Sequence, residues 1–414
     1  MVGGFPPIPD LFHMELIEPV DVERVRPPHG VEPAMFALML ATFTIGTGEF
    51  AMMGLLPEFS HSLNISISRA SSVISAYALG VVVGAPLIAV AGAKLPRRTL
   101  LLAMLVLFLV GNIGTILMPN LLDIEVMRFI TGLPHGAFFG VSALVGASMV
   151  ERARRGRAVG RVLSGIMFST VVGSPLSTYA ANHLGWRAAY GAISILGLLC
   201  FLALWYFAPR DKPHPDANAL AELGAFKRPQ VLLTLLTSAI GFGGLFEVYT
   251  FLTTALSEVT HLPDWAVALY QIVWGLGMVA GNSFGGAMAD RNINRTILFS
   301  LAASCVFMLG FWLLLPSPIA MLLITFLIPA TLIGISPAIQ THLMEVAGDA
   351  QTLAASLNNS AFNIANAAGT WLGAFLVSSG LGLASIGWGS ALLSAGGFLA
   401  YLITMAQARF SASR

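Results

Sequence analysis

Twelve apolar segments, each long enough to cross a bilayer, dominate the sequence. A membrane core of about 30 Å is crossed by about 20 residues of α-helix. In lipid, only helices and closed barrels satisfy every backbone polar group, and these segments are much longer than barrel strands. The sequence therefore predicts an all-α membrane protein with twelve transmembrane helices. The predicted segments span residues 34–57, 69–92, 99–118, 122–149, 158–181, 186–208, 231–256, 265–289, 296–315, 318–344, 352–379 and 383–406.

Charged residues are scarce and lie mostly between these segments. They make up 10% of the 414 residues, against about 25% in soluble proteins. With the N-terminus in the cytoplasm, all but three of the 21 Lys and Arg residues lie on the cytoplasmic side. The exceptions are Arg69 and Arg187 on the far side and Arg128 inside a segment. Because cytoplasmic loops are rich in Lys and Arg, we expect both termini in the cytoplasm.

The segments divide into two groups of six. Residues 1–30 lack the apolar core of a signal peptide, so we predict a mobile cytoplasmic tail. Residues 31–208 form the first predicted six-helix bundle and residues 230–410 the second. The intervening stretch, 209–229, is rich in proline and charge and is predicted to be a cytoplasmic linker.

The two halves resemble each other at an offset of 197 residues. Gly80 and Gly84 match Gly277 and Gly281, and the Arg-Thr-Leu-Leu sequence at 98–101 matches Arg-Thr-Ile-Leu at 295–298. Parallel six-helix repeats are typical of one superfamily of transporters. The repeat predicts two pseudo-symmetric six-helix bundles.

Four stretches carry a family resemblance over residues 31–410. They are 46–50 with 54–57 in the first segment, 128–140 in the fourth, 173–176 in the fifth and 357–363 in the eleventh. The chain resembles the major facilitator superfamily, and most of all the bacterial drug:proton antiporters of the arabinose-efflux-permease-like branch. The resemblance implies the major facilitator fold, the bacterial inner membrane, and export of drug-like or lipophilic molecules by proton antiport with alternating access.

Two positions depart from the family pattern. The loop between the second and third helices usually carries an Asp, but the 197 offset places Ala93 there. The second copy keeps Asp290, followed by Arg291. We therefore expect Arg98, Asp290, Arg291 and Arg295 to act in gating. Without the Asp, the first loop should contribute less to gating than the second. In the fifth helix, Ser174 stands where the antiporters have Gly before Pro175.

Glu49 is the only charged residue between Pro33 and Pro57. A carboxylate inside a membrane has a high free-energy cost unless it is protonated, paired or facing water. Acidic residues in such positions mostly have a functional role. Arg128 lies at a similar depth in the fourth segment. We expect the two to pair directly or through water beside a central cleft. The alternative is a permanent salt bridge that only orders the helices.

Two further residues complete the predicted proton-coupling set. Glu247, in the seventh segment, nearly mirrors Glu49, since the offset places Phe246 opposite. A second proton or cation site across the cavity is one interpretation, and a structural acid is the other. His135 shares a helix face with Arg128. A histidine titrates near neutral pH, although a packed, hydrogen-bonded histidine is the commoner case.

A further set of polar and adaptable side chains provides candidates for substrate binding. Aromatic residues and methionine suit varied apolar ligands, while amides would suit a polar substrate or hold helices together. The candidates are Phe43, Met53, Tyr77, Phe138, Tyr249, Trp274, Gln340, Asn359 and Asn363. Many such residues only face lipid or core, and we favour helix contacts for the asparagines, which include Asn366.

Other classes of protein find little support. A net charge of +1 gives no footprint for nucleic acid, and neither a phosphate-binding loop nor a zinc-protease motif is present. We expect no cofactor or metal, a monomer, and no enzyme activity. A sugar or nucleoside exporter remains the alternative within transport, with a more polar cavity. A membrane receptor would need a signalling domain, and an intramembrane enzyme would need clustered catalytic groups.

Overall fold

The computed structural model describes residues 27–92, 94–151, 154–211, 229–347 and 351–412. Most of the predicted tail, most of the predicted linker and Ala93 lie outside the described residues. Within the described residues the chain is helical, without strands. In this described part of the chain, eleven helices are long and apolar enough to cross a membrane.

Helices α1 to α12 correspond in order to the twelve predicted segments. The eleven candidate spans are α1 (Val31–Ser62), α2 (Ile67–Gly92), α3 (Arg97–Leu117), α4 (Leu121–Ser148), α5 (Arg157–Leu184), α6 (Trp186–Phe207), α7 (Pro229–Glu258), α8 (Asp264–Ala289), α9 (Ile293–Leu314), α10 (Pro318–Leu343) and α12 (Ser385–Ala408). The remaining helix, α11 (Gln351–Ser378), has 28 residues. It is long enough to span a membrane, but its asparagines lower its hydropathy.

Several spanning helices are interrupted near their middle. Helix α4 breaks at Leu133 and Pro134, and α10 breaks at Gly334, three residues before Pro337. Proline lacks the N–H that would bond to the preceding turn, so a helix bends there. Helix α5 contains a π-helical turn, Ser169–Gly173, directly before Ser174 and Pro175.

The internal repeat predicted from the sequence is present in the packing. Gly80 and Gly84 of α2 lie so close to the carbonyl oxygens of Phe129 and Leu133 in α4 that a Cβ would clash. In the second half, Gly277 and Gly281 of α8 meet the carbonyl oxygens of Phe326 and Ala330 in α10 in the same way. All four contacts are related by the 197-residue offset. The prediction of two pseudo-symmetric bundles is therefore confirmed.

The two halves meet mainly along three helix pairs, with a smaller contact between α4 and α11. Helix α2 packs on α11, α5 on α8, and α1 on α7. We call the side on which α6 ends and α7 begins the linker side, and the opposite side the far side. Contacts between α1 and α7 lie toward the far side, where the Thr253 hydroxyl donates to the Met53 carbonyl at 3.3 Å. Large apolar side chains such as Phe284 and Val306 are exposed on the outer surface, as expected for lipid contact.

Candidate functional site

Helix α1 is buried along its central turns and carries Glu49 into the middle of the molecule. Two glycines allow it to pack closely there. A Cβ on Gly46 would lie 2.6 Å from the Ser169 hydroxyl of α5, and a Cβ on Gly48 would lie 3.0 Å from the Phe108 ring of α3. With α3 and α5 pressed against these positions, the Glu49 side chain is directed toward α4 and α11.

The Glu49 carboxylate joins the two halves. Its Oε2 lies 3.4 Å from Nε2 of His135 in α4. Its Oε1 accepts a hydrogen bond at 3.3 Å from the Asn366 amide of α11, in the other half. His135 Nδ1 in turn lies 2.8 Å from the Tyr77 hydroxyl of α2. If His135 Nε2 carries its proton and donates to Glu49, Nδ1 accepts from Tyr77, so a neutral histidine completes the chain.

Arg128 does not form the predicted direct ion pair with Glu49. No oxygen of Glu49 lies within 4.0 Å of its guanidinium, although the charge acts on the carboxylate through space. Instead, Arg128 Nη2 donates to the Gly48 carbonyl at 3.1 Å. Its guanidinium carbon lies 4.4 Å from the ring centre of Tyr77 and 5.3 Å from that of Tyr190. A carbonyl and two aromatic faces occupy the cation, while Glu49 points to α11. Pairing through water stays a prediction.

Glu49 is also more enclosed than expected. Its exposed fraction is 3%, so the cleft that we expected to reach it is closed in this conformation. An open cavity of about 910 Å³ lies farther out, at the far-side ends of α1, α5 and α7, and contains none of the predicted site residues.

A layer of aromatic side chains lies beside Glu49 at the contact between the halves. Tyr249 of α7 stacks on Trp274 of α8 with ring centres 4.9 Å apart, and Phe50 meets Tyr249 edge-on at 6.0 Å. The Tyr249 hydroxyl donates to the Ser174 hydroxyl at 3.0 Å, and Ser174 donates to the Phe50 carbonyl at 3.3 Å. The serine that replaces the family's glycine thus adds a hydrogen bond between the halves.

Gln271 of α8 lies in the same region and was missed in the sequence analysis. It is fully buried, and neither its amide nitrogen nor its amide oxygen has a hydrogen-bond partner. It approaches α1 and α5 where Gly54 leaves room, since a Cβ there would clash with both Gln271 and Thr178. A glutamine in an otherwise apolar segment is a detectable signal, because polar residues in membrane helices mark substrate and ion pathways.

The remaining substrate candidates have mixed surroundings. Phe138 is fully buried and Phe43 is half-buried. Gln340 accepts a hydrogen bond from Asn358 at 2.9 Å, and Asn363 donates to the Asn359 carbonyl within α11 at 3.0 Å. These amides contact their own half, whereas Asn366 reaches Glu49. Their role in substrate binding stays a prediction.

Glu247 does not face Glu49 across a cavity, as we expected. It is completely buried and points into the second half, between α11 and α12. A Cβ on Gly373 would lie 3.0 Å from its Cγ, and a Cβ on Gly389 would lie 2.7 Å from its Oε1. The predicted position is wrong because the Glu49 counterpart by the offset is Phe246, and a shift of one residue turns a helical side chain by about 100°.

The predicted gating residues lie at the linker side. Arg98 bonds to the Trp205 carbonyl, and Asp211 accepts from the backbone nitrogens of Arg97 at 2.7 Å and Arg98 at 3.3 Å. Asp290, Arg291 and Arg295 are exposed, and within the described residues no ion pair involving them lies within 4.0 Å. Among the described residues Asp290 therefore has no ion-pair partner, and a gating role stays a prediction. Among the described residues, no group of three or more His, Cys, Asp or Glu could hold a metal.

Comparison with known proteins agrees with this architecture. Residues 38–370 match the family described as Major Facilitator Superfamily. The Escherichia coli K12 inner membrane transport protein YdhP is 34% identical over 348 residues, covering 84% of this chain and 90% of that protein. A chloramphenicol resistance protein of Streptomyces lividans is 28% identical over 372 residues, covering 87% and 93% of the two chains.

A crystal structure of a D-xylose–proton symporter shows the same fold. Its TM-score is 0.72 at 17% identity, covering 90% of this chain and 97% of the symporter. The chain belongs to the major facilitator superfamily. It is a multi-pass membrane transporter and, as its relatives are transporters, not an enzyme. The resemblance found in the sequence is confirmed at this level.

Proposed function

We propose that the protein exports small, drug-like or lipophilic molecules across the bacterial inner membrane in exchange for protons. It would act as a monomer with both termini in the cytoplasm. The observation that carries the proposal is the Glu49 carboxylate, which is buried at the contact between the halves and holds His135 of one half and Asn366 of the other.

A proton on Glu49 would change the contact between the halves. An amide donor bonds more strongly to an ionised carboxylate than to a neutral one. Protonation therefore weakens the Asn366 bond and removes the negative charge that faces Arg128. The contact between α1 and α11 is then weaker. A proton that binds Glu49 from the far side and leaves toward the cytoplasm changes this contact once in each cycle. This gives two states whose balance depends on one proton, as alternating access requires.

The wall next to Glu49 suits an apolar or aromatic substrate. Tyr249, Trp274 and Phe50 form an aromatic surface shared by both halves. Aromatic faces also attract cations, so a lipophilic cation would be favoured while Glu49 is ionised. The chloramphenicol resistance protein among the relatives supports export of a drug-like compound. Arg98, Asp290, Arg291 and Arg295 would hold the linker side closed in the opposite state.

Transport in everted membrane vesicles tests the proposal. An imposed pH gradient is followed with a pH-sensitive dye while a panel of lipophilic compounds, chloramphenicol among them, is added. A transported compound should dissipate the gradient in wild-type vesicles and not in Glu49→Gln vesicles. Glu58→Gln, on the same helix, is the matched control. Export that continues without a pH gradient would reject proton coupling.

A sugar or nucleoside exporter is the second candidate. Gln271 favours it, because a buried amide with no partner is costly unless a substrate group or another conformation satisfies it. Competition separates the two candidates. The vesicle assay indicates a polar substrate if sugars compete for transport and lipophilic cations do not. Gln271→Leu should then abolish the competition by sugars.

A further inference from the structure

Glu247 is a buried acid that the proposed exchange at Glu49 does not use. Its side chain is 0% exposed, and neither carboxylate oxygen has a hydrogen-bond partner. Gly373 of α11 and Gly389 of α12 leave the space that it fills. The Ser390 hydroxyl faces it but, like the carboxylate, forms no hydrogen bond of ordinary geometry.

Among the described residues, no positive charge forms an ion pair with Glu247. The part of α7 that carries it packs against α1, α8, α10, α11 and α12. Those helices contain no Lys or Arg within the given bounds. Their titratable side chains, with those of α7 itself, are Glu32, Glu49, Glu58, His61, Tyr249, Glu258, Asp264, Tyr270, His342 and Tyr401. None forms an ion pair within 4.0 Å or a hydrogen bond with Glu247.

An ionised carboxylate in these surroundings is strongly unfavourable. Removing a charge from water costs several kcal/mol even after relaxation, and only a close partner offsets it. Glu247 has no such partner, whereas a protonated carboxyl is neutral. We propose that Glu247 is a second proton-binding site, loaded in this conformation and emptied when the second half rearranges.

A chain of buried polar groups leads from Glu49 toward this site. Asn366 donates to Glu49 at 3.3 Å. Thr370 lies one turn farther along α11 and donates to the Asn366 side-chain oxygen at 3.5 Å. Its hydroxyl is 3.0 Å from the Thr250 hydroxyl of α7.

The end of this chain lies close to the second acid. Thr250 follows Glu247 by three residues, which places the two on one face of α7 about one turn apart. The chain crosses from the first half to the second and ends beside Glu247. A small reorientation at that turn would connect the two acids.

The inference deepens the proposed function and rests on it only for the link to transport. Infrared difference spectroscopy of the purified full-length protein in lipid nanodiscs tests the site itself, with a pH step as the probe. A protonated carboxyl has a carbonyl band distinct from that of a carboxylate. The wild type should lose two such bands as the pH rises. Glu247→Gln should remove one band and Glu49→Gln the other.

Glu258→Gln is the matched control, because Glu258 is exposed near the end of the same helix. It should leave both bands in place. The proposal is overturned if Glu247→Gln removes no band. It is also overturned if the Glu247 band persists unchanged at every pH at which the protein stays folded, because the acid is then a static packing group. Neither result affects Glu49, whose role is tested separately by export in Glu49→Gln vesicles and by export without a pH gradient.

Discussion

Glu49 and Glu247 are both buried acids at similar positions in the two halves, yet their surroundings differ. Glu49 contacts His135 and Asn366 and lies near the Arg128 charge. Glu247 has glycines around it and no partner for either oxygen. The first acid lies between the halves, and the second lies within one half. Two acids at equivalent depths in their helices can therefore have different partners and different roles.

The largest difference should appear in export itself. Glu49→Gln removes the group that links proton and conformation, so export driven by a pH gradient should fall at least about tenfold, equivalent to about 1.4 kcal/mol in a barrier. Glu247→Gln should retain export and lose one proton per molecule exported. Parallel measurements of proton and substrate flux in vesicles check both. Equal loss in the two variants would contradict the distinction.

Asn366→Leu should alter Glu49 and leave Glu247 protonated. It removes a hydrogen bond to a charged group, worth about 1.5–3 kcal/mol. Because the lost donor favours the ionised form, the pH at half-maximal export should rise by about one to two units. Asn112→Leu is the matched control, since that buried asparagine bonds only within α3. An unchanged pH profile for Asn366→Leu would show that the amide only packs.

Gly389→Ala tests the space around Glu247. The added methyl would lie 2.7 Å from Oε1, and overpacking of this kind costs about 1–3 kcal/mol. Thermal unfolding in detergent should show a lower midpoint, and Glu247→Ala should relieve it, giving a favourable coupling in a double-mutant cycle. Gly140→Ala is the control, as nothing lies within 4 Å of its Cβ position. If the effects of Gly389→Ala and Glu247→Ala on the unfolding midpoint are additive, Glu247 does not contact the Gly389 position.

Thr370→Val should have the smallest effect. A hydrogen bond between membrane helices contributes less than about 2 kcal/mol, so folding and export should change little. The response of the Glu247 infrared band to a pH step should become slower, because the chain from Asn366 is interrupted. Thr404→Val, whose hydroxyl bonds only to its own helix, should leave the rate unchanged. A similar slowing in both variants would argue against this route.

The sequence was a good guide to the spanning helices. Apolar runs longer than barrel strands leave only the helix as a spanning structure, and the 197-residue offset predicts the equivalence of Gly80 and Gly84 with Gly277 and Gly281, which the contacts confirm. The isolated charge at Glu49 also pointed to the contact between the halves. Features of this kind depend on the residues within one segment, so the sequence alone predicts them.

Side-chain partners could not be predicted as well. Arg128 and Glu49 lie at similar depth, but rotation about the helix axis and competing acceptors such as the Gly48 carbonyl decide the contact. Glu247 lies one residue after the position that the repeat makes equivalent to Glu49, and its side chain therefore points into its own half. Asn366 was assigned to helix contacts because an amide offers no charge to distinguish its role. Gln271 is a polar residue in a largely apolar segment, a signal that the sequence does contain.

The contacts of the α2 and α8 glycines with neighbouring carbonyls restrict how the molecule can move. Backbone pressed against backbone has no flexible side chain to absorb sliding, so α2 must travel with α4, and α8 with α10. Each of these helix pairs then moves as one unit. Changes of shape within a half therefore fall on the breaks at Pro134, Gly334 and the π-turn of α5, and not on these two helix pairs.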